Sequence, residues 1–235
     1  MMTKKLDGNK QILFLGDIHG DWNELLFKIQ LKKISNANII SVGDLGMGFN
    51  SNQDRIKSGL LDKEFKQKNI NFYSIRGNHD DPSFFKGNDR VCLDNFELVD
   101  DYSVFEYNSN LIQFIGGAVS IDRTGRTLGV SHWEDEGVVF NRDACQKVDI
   151  LVTHTAPSFC APQKFNEMVY GWAREDAYLL EDLTDERAVM DEIFKICNPK
   201  YHFYGHFHFS HNETINECRH KLLEIDELFE FRELL

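Results

Sequence analysis

Apolar residues along the chain fall into short runs, and polar residues gather just behind them. Gln11 to Leu15 is a compact apolar run that stops at Gly16-Asp17, which predicts a buried strand with polar residues at its carboxyl end. Asp21 with Glu24 three places on is a helix-capping signature, and Leu25, Leu26, Ile29 and then Lys33-Ile34 continue the predicted helix. Ile39 to Val42 predicts a second strand that ends at Gly43-Asp44. A helix is expected over Asp54 to Lys68 with Ile56, Leu60 and Phe65 as its apolar positions. Asn71 to Ile75 predicts a third strand, ending at Arg76-Gly77-Asn78-His79-Asp80. Open α/β sheets place their sites at such carboxyl ends.

The later half is more mixed. Ser103 to Tyr107 and Leu111 to Ile115 alternate as antiparallel strands do. Asn141 is placed to cap a short helix to Lys147. Asp149 to Val152 predicts a strand running into Thr153-His154. Thr184 to Ile196 has the spacing of an amphipathic helix with Ala188, Ile193 and Phe194 on its buried face. Tyr201 to Tyr204 predicts a strand that delivers Gly205-His206-Phe207-His208, and Leu222 to Ile225 a last strand. This is an α/β pattern.

With 235 residues, 42% of them hydrophobic, 19 Phe and no repeat or low-complexity run, we expect a single domain over residues 1–235 with an aromatic-rich core. The net charge of −12 and the lack of any Lys/Arg-rich run argue against binding extended nucleic acid, which needs a basic face. Five cysteines (Cys92, Cys145, Cys160, Cys197, Cys218) form no CxxC pair. That suits reduced thiols in small core positions and a cytoplasmic setting. The first ten residues lack the apolar stretch of a signal peptide, and no run is long enough to span a membrane.

The candidate chemistry lies at five junctions: GDIHG, Gly43-Asp44, GNHD, Thr153-His154 and GHFH. Singly each is ordinary turn chemistry, or a histidine that packs. Together, each directly after a strand, they bring carboxylate, imidazole and amide oxygen to one edge. That is a ligand set for Mn, Fe, Zn or Ni without thiolates. Two cations roughly 3.5–4 Å apart would clamp both oxygens of a displacement at phosphorus, and a shared carboxylate would hold them there. Asp44 is the expected bridge. Two carboxylates and a hydroxide give −3 against +4 from two divalent ions, so an acidic protein still presents a positive site to phosphate.

The order GDIHG…GD…GNHD…H…GHFH, from Gly16 to His208, resembles the calcineurin-like metallophosphoesterase superfamily. The stretches GGAVSIDRTGR…SHWEDE and YHFYGHFH are similar to those of its small microbial and phage members. The resemblance implies a four-layer αββα sandwich, two mixed β-sheets between helices. It implies one metal on Asp17, His19, Asp44 and His208 and a second on Asp44, Asn78, His154 and His206, manganese foremost. A metal-bridging hydroxide would attack phosphorus in line, with His79 as general acid and Asp80 orienting or charging it.

The resemblance is incomplete. Protein Ser/Thr phosphatases carry Asp-Arg shortly after the second motif, where this chain reads GDLGMGF, and the fourth motif reads THTAP. Protein phosphatase activity is therefore not expected. Gly116 to Glu136 is the expected specificity element. There either Arg123 or Arg126 supplies the missing phosphate contact, or each makes a surface ion pair with Asp122 or Glu134. His132 and Trp133 are read as packing residues. Lys164 to Trp172 suggests a lid or a partner surface, its aromatics belonging to the core. Three functions follow: hydrolysis of a small or exposed phosphoester; a phosphodiesterase acting on nucleotides, cyclic nucleotides or nucleic acid ends; and a non-catalytic interaction module. The third is disfavoured because all seven ligand positions and His79 hold competent residues.

Overall fold

The computed structural model describes residues 3–49 and 54–232. Twelve strands are present among them: β1 (Lys4–Lys5), β2 (Gln11–Leu15), β3 (Ala37–Ser41), β4 (Ile70–Ser74), β5 (Phe96–Leu98), β6 (Val104–Tyr107), β7 (Asn110–Ile115), β8 (Ile150–Thr153), β9 (Tyr201–Tyr204), β10 (His211–Ile215), β11 (Cys218–Leu222) and β12 (Leu228–Glu230). The helices are α1 (Trp22–Leu31), α2 (Asp54–Gln67), α3 (Glu167–Trp172) and α4 (Leu179–Cys197). One sheet has the order β12-β2-β3-β4-β5, and the other β1-β6-β7-β8-β9-β11-β10. In the first, β2 to β5 run parallel and β12 antiparallel; the second is also mixed.

Strand periodicity assigns the layers. Leu13 and Leu15 on β2 face one way, into a core with Trp22, Leu25 and Ile29 of α1 and Leu61 and Phe65 of α2. Ile12 and Phe14 face the other way and meet Phe114, Val152 and Phe203 of the second sheet. The outer face of that sheet packs Ile115 and Leu151 against Met190, Ile193 and Phe194 of α4. The layers are therefore helix, sheet, sheet, helix: the expected αββα sandwich. The phenylalanines do stack inside it, with the ring centre of Phe72 lying 5.1 Å from that of Phe65 and 5.2 Å from that of Phe96, the rings nearly parallel.

Several local expectations are corrected. Helix α1 stops at Leu31, before Lys33-Ile34, because Lys33 and Asn36 take positive φ and turn the chain. On α2, Phe65 is buried as expected, but Leu60 is exposed and Leu61 is buried in its stead. The side chain of Ile56 lies outside the described residues. The expected helix from Asn141 to Lys147 is a single 3-10 turn, Arg142–Ala144, capped by Asn141 as expected. Helix α4 begins at Leu179, and Ala188 is exposed while its neighbours Glu186 and Arg187 are buried. The expected last strand, Leu222 to Ile225, is instead β11, which closes at Leu222; β10 and β12 had no clear signal. Cys160, Cys197 and Cys218 are buried, whereas Cys92 is exposed and Cys145 intermediate; all five are free thiols. No helix among the described residues is long and apolar enough to cross a membrane.

Candidate metal centre

Five parallel strands end along one edge of the sandwich. β2 delivers Asp17 and His19, β3 delivers Asp44, β4 delivers Asn78, His79 and Asp80, β8 delivers His154, and β9 delivers His206 and His208. The structure brings all seven expected ligand residues together. Asp17, His19, Asp44 and His208 offer ligand atoms within 4.8 Å of one another. The Nε2 atoms of His19 and His208 are 3.0 Å apart. Beside them, Asn78 Oδ1 lies 3.1 Å from His154 Nε2 and 3.0 Å from His206 Nδ1. Asp44 stands between the groups: its Oδ2 is 3.8 Å from His19 Nδ1 and its Oδ1 is 3.2 Å from His154 Nε2.

The backbone is bent to achieve this. His19, Asp44, His206 and His208 all take positive φ, between 46° and 70°. Such a conformation costs a non-glycine residue about 1–3 kcal/mol and persists where the surroundings enforce it. Two glycines make the approach possible. A Cβ on Gly77 would sit 2.0 Å from Asp44 Oδ1, and one on Gly205 would sit 2.2 Å from Asp17 Oδ1.

The donor set fits divalent cations. Asp17 Oδ1 is fully buried without a hydrogen-bond partner, an orphan that a cation would satisfy. His154 Nδ1 donates to the Val42 carbonyl at 2.8 Å, which leaves the Nε2 lone pair facing the site. Asn78 Nδ2 donates to Ser120 Oγ at 3.0 Å, which turns Oδ1 inward. Burial opposes the charge on Asp44, but the His154 imidazole beside it holds the carboxyl well below its ordinary value. Burial likewise opposes a charged His154, yet Asp44 pushes it up to about 10. The pocket thus concentrates negative potential where a cation would displace that proton.

His79 and Asp80 part company. Burial pushes His79 down to about 4, helped by Arg126 and His19 and opposed by Asp44, so its ring is neutral at pH 7. Its Nε2 lies 2.8 Å from Arg126 Nη2, and its face stacks on Phe49 at 4.9 Å. Asp80 makes no contact with that ring: its carboxylate accepts the backbone amides of Gly77 at 2.8 Å, Met47 at 2.8 Å and Leu45 at 3.3 Å. The expectation that Asp80 orients His79 is thus corrected. Asp80 ties the loop after β3 to the loop after β4, and Arg126 and Phe49 hold the imidazole.

The two candidate arginines also separate. Arg126 is nearly buried and contacts Ser120 Oγ at 2.9 Å, the Asn78 carbonyl at 3.2 Å and Asp122 at 2.7 Å. Arg123 points away and pairs with Asp176 and Asp182 at the start of α4, so its expected place at the substrate is not observed. A cavity of about 450 Å³ opens over the metal centre. Asp44, Asn78, His79, His206 and His208 line its floor, with Arg126 at one side. Phe165, Met168, Val169 and Trp172 form an apolar wall, so the Lys164–Trp172 stretch faces the cavity rather than the core. Trp133 is buried, and His132 bonds Glu136 at 2.9 Å; neither lines the cavity.

Other residues of the site gave little sequence signal. Phe49 follows the second motif but reads as core. Ser120 is one serine among many. Glu186 and Arg187 lie buried on the cavity side of α4, where an amphipathic helix normally hides apolar residues. Burial pushes the Glu186 carboxyl up to about 7, against a hydrogen bond from the Val119 amide.

A family model described as calcineurin-like phosphoesterase matches residues 10–210. The chain belongs to that family. It is a metal-dependent hydrolase acting on phosphoester bonds. Among solved structures it is similar to GAP50, the anchor in the inner membrane complex of Plasmodium, at 15% identity and a TM-score of 0.47, covering 92% of this chain and 71% of that one. A Thermotoga maritima protein solved by NMR aligns at 14% identity and 0.41, covering 96% and 94%. The phosphopantetheinyl hydrolase of Mycobacterium tuberculosis aligns at 13% and 0.43, covering 94% and 92%. No curated protein sequence matches the chain significantly.

Proposed function

We infer that the chain is a dinuclear phosphoester hydrolase of the phosphatase type, acting on a small phosphomonoester. The observation that carries this reading is the position of Asp44, whose two oxygens face two different sets of ligands. Asp17, His19, Asp44 and His208 would hold one cation, and Asp44, Asn78, His154 and His206 the other. Oxygen and imidazole donors without a thiolate suit Mn²⁺ first, then Fe, Zn or Ni. Two such cations supply Lewis-acid activation of water and of the phosphoryl oxygens.

The chain's own residues do the rest. Val42 and Ser120 fix the orientation of His154 and Asn78 through the hydrogen bonds described above. Arg126, bonded to Ser120 and stacked over Phe49 at 5.6 Å, sets its charge beside the cavity, and its Nη2, which meets His79 and Asp122, would exchange one of them for a phosphoryl oxygen when substrate binds. A phosphoryl dianion beside His79 raises the affinity of that ring for a proton, which it then delivers to the leaving oxygen. The organic part of the ester lies in the cavity against Phe165, Met168 and Trp172. The five unpaired thiols support a reducing, cytoplasmic setting in this reading.

The test compares p-nitrophenyl phosphate with bis-p-nitrophenyl phosphate on the Mn²⁺-loaded protein. We expect the higher kcat/KM on the monoester. The reverse order would move the enzyme to the phosphodiesterases, and no turnover of either would favour a non-catalytic module.

A further inference from the structure

Away from the metal centre, a second group of potential ligands is wholly enclosed. Cys160, in the loop after β8, meets His202 of β9 and His220 of β11, adjacent strands in which His202 and His220 are paired in register. All three side chains are buried between the second sheet and α4, with Phe194 stacked on His220 at 5.3 Å. Cys160 Sγ is 3.2 Å from His220 Nδ1, which is 3.1 Å from His202 Nδ1.

Proton counting shows what is unusual. Thr153 Oγ1 has one hydrogen, and it goes to the Thr155 carbonyl, which can only accept. Thr153 therefore accepts from His202 Nε2–H at 2.8 Å, and His202 turns a bare Nδ1 lone pair into the cluster. To satisfy that lone pair His220 must carry its proton on Nδ1. Its Nε2 is then bare, and it is buried with no hydrogen-bond partner. The Cys160 thiol, facing a protonated nitrogen, has no acceptor there. With the proton on Nε2 instead, next to the Ile215 backbone, the thiol can donate to Nδ1 but two Nδ1 lone pairs face each other, so without a metal at least one buried polar group is unmatched in either tautomer.

We propose that Cys160, His202 and His220 form a buried zinc-binding site, with three protein ligands and the fourth tetrahedral position open. One cation takes the Cys160 thiolate and both Nδ1 lone pairs. The His220 proton moves to Nε2, next to the Ile215 backbone, and the thiol proton leaves to solvent. Zn–S of about 2.3 Å and Zn–N of about 2.0 Å place tetrahedral ligand atoms roughly 3.3–3.6 Å apart, so the cluster needs to open by a few tenths of an ångström. The Thr153 hydroxyl on the far side of His202 is the outer-sphere partner such a ligand usually has. Glu213, whose carboxylate accepts from the Ala161 amide at 2.8 Å, is the acidic neighbour of Cys160 and His220 and offsets the added positive charge, Arg187 being the cation nearby. The site clamps the loop that carries Thr155 and Pro162 in the cavity wall to the strand that leads into His206 and His208.

The dinuclear centre contains no thiolate, so a thiolate signal separates the two sites. The full-length protein is titrated with Co²⁺ and its near-ultraviolet spectrum recorded. We expect a thiolate-to-cobalt charge-transfer band whose final intensity corresponds to one cobalt–thiolate bond per chain, lost in Cys160→Ser and kept in Cys218→Ser. No band in the folded wild type at saturating Co²⁺, or a band that survives Cys160→Ser, overturns the proposal. If Cys160→Ser fails to fold, X-ray absorption of the Zn²⁺-loaded wild type decides without a variant. A sulfur contribution to the averaged zinc shell supports the site, and nitrogen and oxygen alone refute it.

Discussion

Arg126→Ala is the most informative change to the substrate pocket. Its side chain is only 8% exposed, yet it lines the cavity beside His79 and is aimed by Ser120, Asp122 and Phe49. The structure sets the size of the effect. A charge-assisted hydrogen bond to a phosphoryl oxygen is worth about 1.5–3 kcal/mol. At about 1.4 kcal/mol per tenfold, that is roughly a 10- to 150-fold loss of kcat/KM. The fold should lose stability as well, because truncation also removes the bonds of this nearly buried guanidinium to Asp122, Ser120 and the Asn78 carbonyl, so Tm is read beside the kinetics. The assay is steady-state hydrolysis of p-nitrophenyl phosphate, with inorganic phosphate as competitive inhibitor and metal content as control. We expect KM and the phosphate inhibition constant to rise with both metals retained, and Arg126→Lys to recover part of the loss because it keeps charge without the fork. If KM and phosphate inhibition stay within twofold of wild type while Tm falls, Arg126 only braces His79, and its place as the phosphate contact is wrong.

Three further outcomes follow from the same geometry. His79→Asn should retain the metals and slow esters with poor leaving groups most, by about 10²–10⁴-fold, the range for lost general acid catalysis; equal slowing whatever the leaving-group pKa would rule out the acid role. Asp44→Asn should lose Mn²⁺ from both positions, because its two oxygens serve both sets, and metal analysis that finds two Mn²⁺ per chain would contradict the shared carboxylate. Gly77→Ala should cost about 1–3 kcal/mol in chemical denaturation and weaken Mn²⁺ binding, since the new methyl would meet Asp44 Oδ1; unchanged stability and binding would show that this backbone approach is loose.

Much of the site was legible because its information is local. Each ligand follows an apolar run, so β2, β3, β4, β8 and β9 announced both themselves and the residues at their ends. The αββα layering came through resemblance and is explained by the two-residue periodicity of β2, whose alternate side chains enter different cores. What stayed hidden depends on contacts between distant segments. Asp80 lies next to His79 in sequence, but three backbone amides from two loops claim its carboxylate. Arg123 and Arg126 are three residues apart and indistinguishable by type, yet the 3-10 turn between them sends one to α4 and the other to His79. Glu186 and Arg187 defy the rule that charged helix residues face solvent, because α4 forms part of the cavity wall. The polar strand β11 offered no apolar run, although its inward His220 completes a buried cluster.

The central claim is that two cations share Asp44 and work together. Electron paramagnetic resonance of the protein titrated with Mn²⁺, with hydrolysis followed on the same samples, tests it most directly. Mn²⁺ favours oxygen-rich sites, so a Cys-His site elsewhere would not intrude. The account predicts a spin-coupled Mn²⁺ pair, activity that rises with the second equivalent, and loss of both in Asp44→Asn. Full activity at one equivalent, with an uncoupled spectrum throughout, would contradict it.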